Sequence, residues 1–341
     1  VIGWYVHSHG LGHLQRVGCV APHLHTPVTI LSSAPLRPLG PRRVGATAGG
    51  RKDTQLPWVE LPDDLPLGDE RDVTAGGTLH WAPVHHPGLR QRMAAIAAWV
   101  EAARPALVVV DVSVEVALLV RSMGVPVVVV GMRGDRSDRA HATAYDLAAA
   151  VLAPWPAAFA EPWPQRWLDK TWHVGGVSRF DGRSVVPPPR SGQVALLWGQ
   201  GGSAVSEADV AAAVDATPGW RWTTAGLGSW ADDTWALLAG ADVVVTHAGQ
   251  GAIGEVAAAR RPAVVLPQPR PHDEQCATGR AMAQAGLAVV REAWPEPHEW
   301  PQLLDAAARL GGGGWERWSD GSGAQRAAEL LDDLAVTCAP R

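Results

Sequence analysis

Residues 242–255 read Asp242-Val243-Val244-Val245-Thr246-His247-Ala248-Gly249-Gln250-Gly251-Ala252-Ile253-Gly254-Glu255. Three consecutive valines fit a strand buried on both faces, the signature of a parallel sheet covered by helices. A glycine-containing turn follows at once, and then a helix-forming run. Strand, turn and helix in that order make half of a βαβ unit, so this stretch sets the fold class as α/β. The small residues of the turn let an anion approach the main chain, where the N–H groups and the positive dipole end of the helix favour negative charge. Glu255, four residues after Gly251, is expected within the first turn or so, in reach of a vicinal diol. A plain capping loop, with Glu255 simply favourable to the dipole, reads the same residues more cheaply.

Working outward, the same rhythm extends in both directions. Towards the C-terminus come a strand at Ala263 to Leu266, a helix at Glu274 to Ala285 and a strand at Ala288 to Val290. Towards the N-terminus lie a strand at Val194 to Leu197, a helix at Glu207 to Ala216, a strand at Arg221 to Thr223 and a helix at Thr234 to Ala239. A separate series opens the chain, with strands at Val1 to Val6, Val28 to Leu31, Ala106 to Val110, Val125 to Val130 and Val151 to Leu152. Helices at Gly88 to Ala103 and Val114 to Met123 lie between them. The Pro/Gly-rich region from Leu36 to Pro87 yields only loops and a strand near Trp58 to Leu61.

Two doubly wound, Rossmann-like domains facing across a cleft are therefore expected. The divisions are 1–177, a linker at 178–192 marked by Pro187-Pro188-Pro189, a second domain at 193–314, and a final segment 315–341 whose helix spans about Gly323 to Leu334.

The composition agrees with a globular chain. Of 341 residues, 47% are hydrophobic and 18% charged, enough to bury large cores. A net charge of −5 provides no basic field for nucleic acid, which is not expected as a partner. The three cysteines, Cys19, Cys276 and Cys338, form neither a disulfide framework nor a metal motif, which fits a reducing, cytoplasmic setting. No apolar run is long enough for a membrane span, and the protein is expected to be monomeric or dimeric.

Ligands of doubly wound sheets bind beyond the carboxyl ends of the strands. Two further strand-following loops stand there. Pro267-Gln268-Pro269-Arg270-Pro271-His272-Asp273-Glu274-Gln275 gathers carboxylates and an amide at a helix start, a mixture suited to polyhydroxyl recognition. Asp273 alone would also serve as an N-cap. Trp198-Gly199-Gln200-Gly201-Gly202-Ser203 is a second phosphate-sized glycine loop.

Together, His247-Ala248-Gly249-x-Gly251-x-x-x-Glu255, a proline-rich turn and Glu274-Gln275 resemble the donor-binding half of GT-B-fold glycosyltransferases, nearest to the MurG-like group. The segment Ser229-Trp230-Ala231-Asp232-Asp233 is similar to the approach to that site. The resemblance covers about 194–290 and implies an inverting, metal-independent transferase using a nucleotide-diphosphate sugar, UDP-linked, with no other cofactor. It implies that His247, Ala248, Gly249, Gln250, Gly251 and Ala252 lie along the diphosphate, with Gly199, Gln200 and Gly201 nearby. Glu255 would hold the ribose, Gly228 and Trp230 the base, and Asp273, Glu274 and Gln275 the sugar. It also implies that the last helix crosses back to the first domain.

The first loop, His7-Ser8-His9-Gly10-Leu11-Gly12-His13, carries three histidines. No neighbouring carboxylate completes a metal set there, and no metal is expected. Transfer to a hydroxyl needs a proton acceptor, and a histidine at a helix N-terminus tends to the neutral form that a base requires. His13 is the preferred catalytic residue and His9 the second, with Asp111 either orienting His13 or capping the next helix. Gly10, Gly12, Arg16 and Arg133 are assigned to the acceptor side. Arg16 has a solvated helix face as its plainer reading, and Arg133 an ion pair with Asp135 or Asp138. The loop also resembles that of UDP-sugar hydrolases of the PseG type, in which the nucleophile is water. A hydrolase and a non-catalytic nucleotide-sugar-binding protein are thus the two alternatives to a transferase with a small-molecule or lipid-linked acceptor.

Overall fold

The computed structural model describes residues 1–7, 11–34, 56–185, 191–199, 205–226 and 233–339. The first sheet is built from β1 (Ile2–Val6), β2 (Val28–Ser32), β3 (Trp58–Glu60), β4 (Leu107–Asp111), β5 (Val127–Val130), β6 (Ala150–Ala153) and β7 (Thr171–His173). Its helices are α1 (Leu11–Val20), α2 (Pro87–Ala103), α3 (Val114–Ser122), α4 (Arg139–Leu147) and the single turn α5 (Gln165–Leu168). Every strand pairs in parallel, in the order β3-β2-β1-β4-β5-β6-β7.

The second sheet contains β8 (Gln193–Leu197), β9 (Arg221–Ala225), β10 (Val243–Thr246), β11 (Ala263–Val265) and β12 (Val289–Val290). Around it lie α6 (Glu207–Asp215), α7 (Thr234–Gly240), α8 (Gln250–Ala259), α9 (Glu274–Gln284) and α10 (Trp300–Leu310). The order is β12-β11-β10-β8-β9, again all parallel. Both sheets are α/β and doubly wound, as the continuous valine runs imply.

The strand orders locate the sites. In each sheet the chain winds first to one side and then jumps back to the other. That reversal leaves a crevice at the carboxyl ends of two adjacent strands, where no crossover passes overhead. In the first sheet the reversal lies between β1 and β4, where Val6 pairs with Asp111. In the second it lies between β8 and β10, where Leu197 pairs with Thr246.

Helix boundaries follow local chemistry. Ser113 caps α3 by accepting from Val116 N at 3.2 Å, and Asp138 caps α4 by accepting from His141 N at 3.0 Å. Ser206 and Asp209 form a reciprocal capping box at α6. Helix α4, β7 and α10 were not anticipated from the sequence. Strand β7 has only three residues, and α4 is rich in polar residues and alanine, so its buried stripe of Ala140, Ala144 and Tyr145 is inconspicuous.

A final helix, α11 (Gly323–Thr337), packs on the first sheet. Ala324, Ala327, Ala328, Leu331 and Ala335 join Leu14, Val17 and Val20 of α1 and residues of β1, β2, β4, β5 and β6 in one apolar cluster. Arg326 Nε donates to Val174 O at 3.0 Å, and Trp318 O accepts from Gly176 N at 2.8 Å, fixing the return of the chain. Trp315, fully buried, donates through Nε1 to Arg261 O at 2.8 Å. Among the described residues no helix is long and apolar enough to cross a membrane.

Leu331 is fully buried in the core of the first sheet, whereas Val336, on the same helix, is 77% exposed. Leu331→Ala is expected to lower stability by about 2–5 kcal/mol and Val336→Ala by less than about 0.5 kcal/mol, measured by urea unfolding. Equal effects would show that α11 does not belong to that core.

Candidate active site in the cleft

At the first crevice stands a buried ionic cluster. Asp111, the last residue of β4, has no solvent exposure. His13 Nδ1 lies 2.9 Å from its Oδ1, and Arg16 Nη1 donates to its Oδ2 at 2.5 Å. Leu14 and Val17 anchor α1 in the core, so His13 and Arg16, three residues apart, share the face turned to Asp111. Burial by itself would raise the Asp111 carboxyl. The charges and hydrogen bonds of Arg16 and His13 outweigh it and hold the group below the usual carboxylate range. An ionised carboxylate only accepts, so Nδ1 carries a proton in this contact, and in the neutral tautomer it selects the lone pair is on Nε2. Asp111 therefore orients His13, and the capping role falls to Ser113.

The second crevice is formed by the loops after β8 and β10. His247 Nδ1 accepts from Gly249 N at 2.9 Å. Its ring meets Trp198 edge-on, with centroids 5.8 Å apart, and packs against Gly199, where a Cβ would lie 2.9 Å from Nε2. Burial, with a contribution from the Arg270 charge, lowers His247 to about 4, so the ring is neutral at pH 7. Gln275, 4% exposed, accepts through Oε1 from Ala248 N at 3.1 Å and from Gln268 N at 3.0 Å. It staples the two loops together, so its carbonyl is committed to main chain. Gly249 caps α8 without a side chain, and Gln250, Gly251 and Ala252 form the first turn. Their N–H groups have no carbonyl within the helix to bond.

The two crevices meet. Arg16 Nη2 donates to Gln250 Oε1. Gln15 Nε2 donates to Glu255 Oε1 at 2.6 Å, and Arg179 Nε donates to the same oxygen at 2.8 Å. A narrow pocket between the halves is lined by Gly12, Gln15, Arg16, Arg179, Gln250 and Gly251. Gln250 Nε2 is buried in its wall with no acceptor among the described residues.

Several sequence assignments shift in position. Glu255 lies in the second turn of α8, because the helix begins at Gln250, and its carboxylate is 6% exposed against Gln15 and Arg179. Arg16 is 8% exposed, not on a solvated face, and reaches the donor-side loop. Arg133 is removed from the acceptor side: it is 4% exposed, paired with Glu161 at 2.5 Å and bonded to Phe159 O at 2.6 Å, rather than with Asp135 or Asp138. Asp273 pairs with Arg280 at 2.6 Å and makes no side-chain cap to α9. Glu274 stays in the cleft, where burial raises its carboxyl and Arg136 Nη2 lies 3.9 Å from Oε2. Trp155 and Trp163, flanking acceptor-half loops, are core residues. His9, Gly10, Gln200, Gly201, Gly228 and Trp230 lie outside the described residues.

Gln15, Arg136 and Arg179 were not singled out as site residues. Gln15 and Arg16 do follow His13 on the same helix, and that proximity was the available signal. Arg179 carried none, since its partner lies 76 positions away.

Because His247 is lowered to about 4 from 6.5, the unfolded chain binds the extra proton between those values, and stability falls as pH drops through that window. The full effect is at most about 3 kcal/mol. His247→Asn should flatten the stability–pH profile between pH 6.5 and pH 4 relative to the parent, measured by urea unfolding. Parallel profiles would remove His247 from the buried, neutral state.

Residues 222–298 match the model of the glycosyltransferase family 28 C-terminal domain. Among solved structures, the calicheamicin glycosyltransferase CalG4 is 18% identical with a TM-score of 0.65, over 99% of both chains. The spinosyn forosaminyltransferase SpnP is 14% identical with a TM-score of 0.67, over 98% of this chain and 99% of its own. MurG of Acinetobacter baumannii is 15% identical with a TM-score of 0.62, over 97% of this chain and 99% of its own. No curated protein sequence matches the chain. At these identities the structural likeness speaks to fold. The chain thus has the two-domain fold of the GT-B glycosyltransferases, MurG among them, and within it residues 222–298 match the glycosyltransferase family 28 C-terminal domain.

Proposed function

We propose that the protein transfers a sugar from a nucleotide-diphosphate donor, UDP-linked, to a hydroxyl acceptor, with inversion and without a catalytic metal. The observation that carries this reading is the meeting, through Arg16, of the His13–Asp111 pair with the first turn of α8, a helix inside the segment matched to the family 28 C-terminal domain.

The chemistry follows from the two sides of that junction. The acceptor oxygen attacks the anomeric carbon from the face opposite the diphosphate. As the new C–O bond forms, the bond to the diphosphate oxygen breaks and its electron pair leaves with the nucleotide. The acceptor proton passes to His13 Nε2, and the imidazolium so formed is stabilised by Asp111 through Nδ1–H. Charge developing on the diphosphate is met by the N–H groups of Gln250, Gly251 and Ala252, the dipole of α8 and the Arg16 guanidinium. Gln250 Nε2, a buried donor with no acceptor among the described residues, gains one from a phosphate oxygen. Glu255 takes the ribose hydroxyls by exchanging its bond to Gln15 for them, and Glu274 meets the sugar. A cytoplasmic location and a small-molecule or lipid-linked acceptor complete the proposal.

The test combines ligand-dependent thermal shift with product analysis. A UDP-sugar should raise the unfolding temperature of both the parent and His13→Ala. Turnover with an acceptor should fall about 10²–10⁴-fold in kcat for the variant, and proton NMR of the product should show the inverted anomer. Unchanged kcat in His13→Ala would remove the base. Release of free sugar at the same rate without any acceptor would reassign the enzyme as a hydrolase.

A further inference from the structure

Beside the cleft, four ligand-bearing side chains converge from both halves. His80 lies in the loop before α2, Asp138 caps α4, His141 is in the first turn of α4, and His272 stands in the turn before α9. One potential ligand atom from each lies within 4.8 Å of the other three. His80 Nε2 is 3.0 Å from Asp138 Oδ1, and His141 Nδ1 and His272 Nδ1 are 2.5 and 3.7 Å from Asp138 Oδ2. In a tetrahedral site with metal–ligand bonds of 2.0–2.1 Å, neighbouring donor atoms stand about 3.3 Å apart. With one ligand atom from each residue inside 4.8 Å of the others, small side-chain rotations bring the four donors to that spacing. The side chains are 11–37% exposed, so an ion can enter from solvent.

The arm supplied by the other half of the molecule, His272, is held under strain. His272 and Asp273 both have left-handed backbone conformations, with φ of 61° and 56°, which non-glycine residues seldom adopt. A close main-chain contact holds them there. Asp135 N donates to His272 O at 2.8 Å, and Gly134, at φ 93°, has no room for a Cβ against the His272 carbonyl. Backbone strain of this kind persists where the surroundings dictate it, and it collects at ligand clamps. Here it directs an imidazole onto a carboxylate of the opposite domain.

The geometry points to a divalent transition-metal site, held by His80, Asp138 and His272 with His141 as the fourth ligand, that clasps the two domains across the cleft. Three imidazoles and a carboxylate suit zinc or its cobalt substitute, not the oxygen-only preferences of magnesium or calcium. The role is structural: four protein ligands leave no open position for substrate. The rings that donate to Asp138 would shift their protons to the far nitrogens on ligation. For His141 that nitrogen, Nε2, accepts from Arg136 Nη1 at 3.2 Å, so the guanidinium must turn aside before the fourth bond forms. His80, Asp138 and His272 carry no such cost and bind first. The clasp is adjacent to Glu274 in sequence but does not depend on the sugar-transfer reading.

The test is titration of the chelator-treated full-length protein with cobalt(II), followed by displacement with zinc. One cobalt per chain with the visible d–d bands of a tetrahedral site is expected, and zinc should abolish them. His80→Ala and His272→Ala, on opposite domains, should each weaken binding by at least about tenfold. Far-UV circular dichroism of the metal-free variants establishes that they are folded, and if one is not, the other decides. Zinc should also raise the unfolding temperature of the parent but not of the folded variants. Absence of stoichiometric binding, or binding equal to the parent in a folded variant, overturns the clasp.

Discussion

A carboxylate with no exposure to water costs several kcal/mol to bury unless its charge is met in place. Asp111 is met twice, by His13 and by Arg16, and each partner thereby acquires a fixed position. The imidazole tautomer follows from that contact. So does the extended reach of Arg16, whose second nitrogen bonds Gln250 of the other domain. The orientation of the His13 imidazole, the contact across the cleft and the charge placed beside the α8 N-terminus all trace to one residue at the end of β4.

That residue is where it is because of sheet order. Both sheets reverse their winding once, and each reversal opens a gap at the carboxyl ends of neighbouring strands. Asp111 and α1 occupy one gap; His247, Gly199 and α8 occupy the other. Facing two such gaps puts a proton acceptor opposite a helix terminus suited to an anion, with no help from any long-range loop. The supporting contacts are equally local. Gln275 ties the two donor-side loops by accepting from Ala248 and Gln268, and His247 braces the turn that begins α8.

Much of this was legible in the sequence because the fold class rests on local periodicity. Val243 to Val245 and Val127 to Val130 announce doubly covered strands, and the glycine-rich turn after Thr246 announces a helix entry. His13 and Asp111 were identifiable as a candidate pair, and the choice between Asp111 pairing with His13 and capping the next helix needed the position of Ser113. What the sequence left open was side-chain direction across long separations. Glu255 and Gln15 are 240 positions apart, and nothing in either segment marks the other. Arg133 had nearby aspartates that made a local pair plausible, yet it turns inward to Glu161, whose selection depends on the packing of Trp155 and Trp318 around the guanidinium. Asp273 pairs with Arg280 rather than capping α9, and no residue-type signal such as glycine marks the left-handed backbone at His272 and Asp273.

The return of α11 to the first sheet has a consequence for how the molecule is made. Leu331, Ala327 and Ala335 complete an apolar cluster whose other members lie mostly in the first 152 residues. The amino-terminal half emerges from the ribosome before α11 and keeps an uncovered greasy flank until residues 323–337 have been synthesised. The carboxyl-terminal sheet, contiguous in the chain, has no such wait. Biogenesis is thus inverted relative to the order of translation: the later half can set first, and the earlier half closes over the tail that follows it.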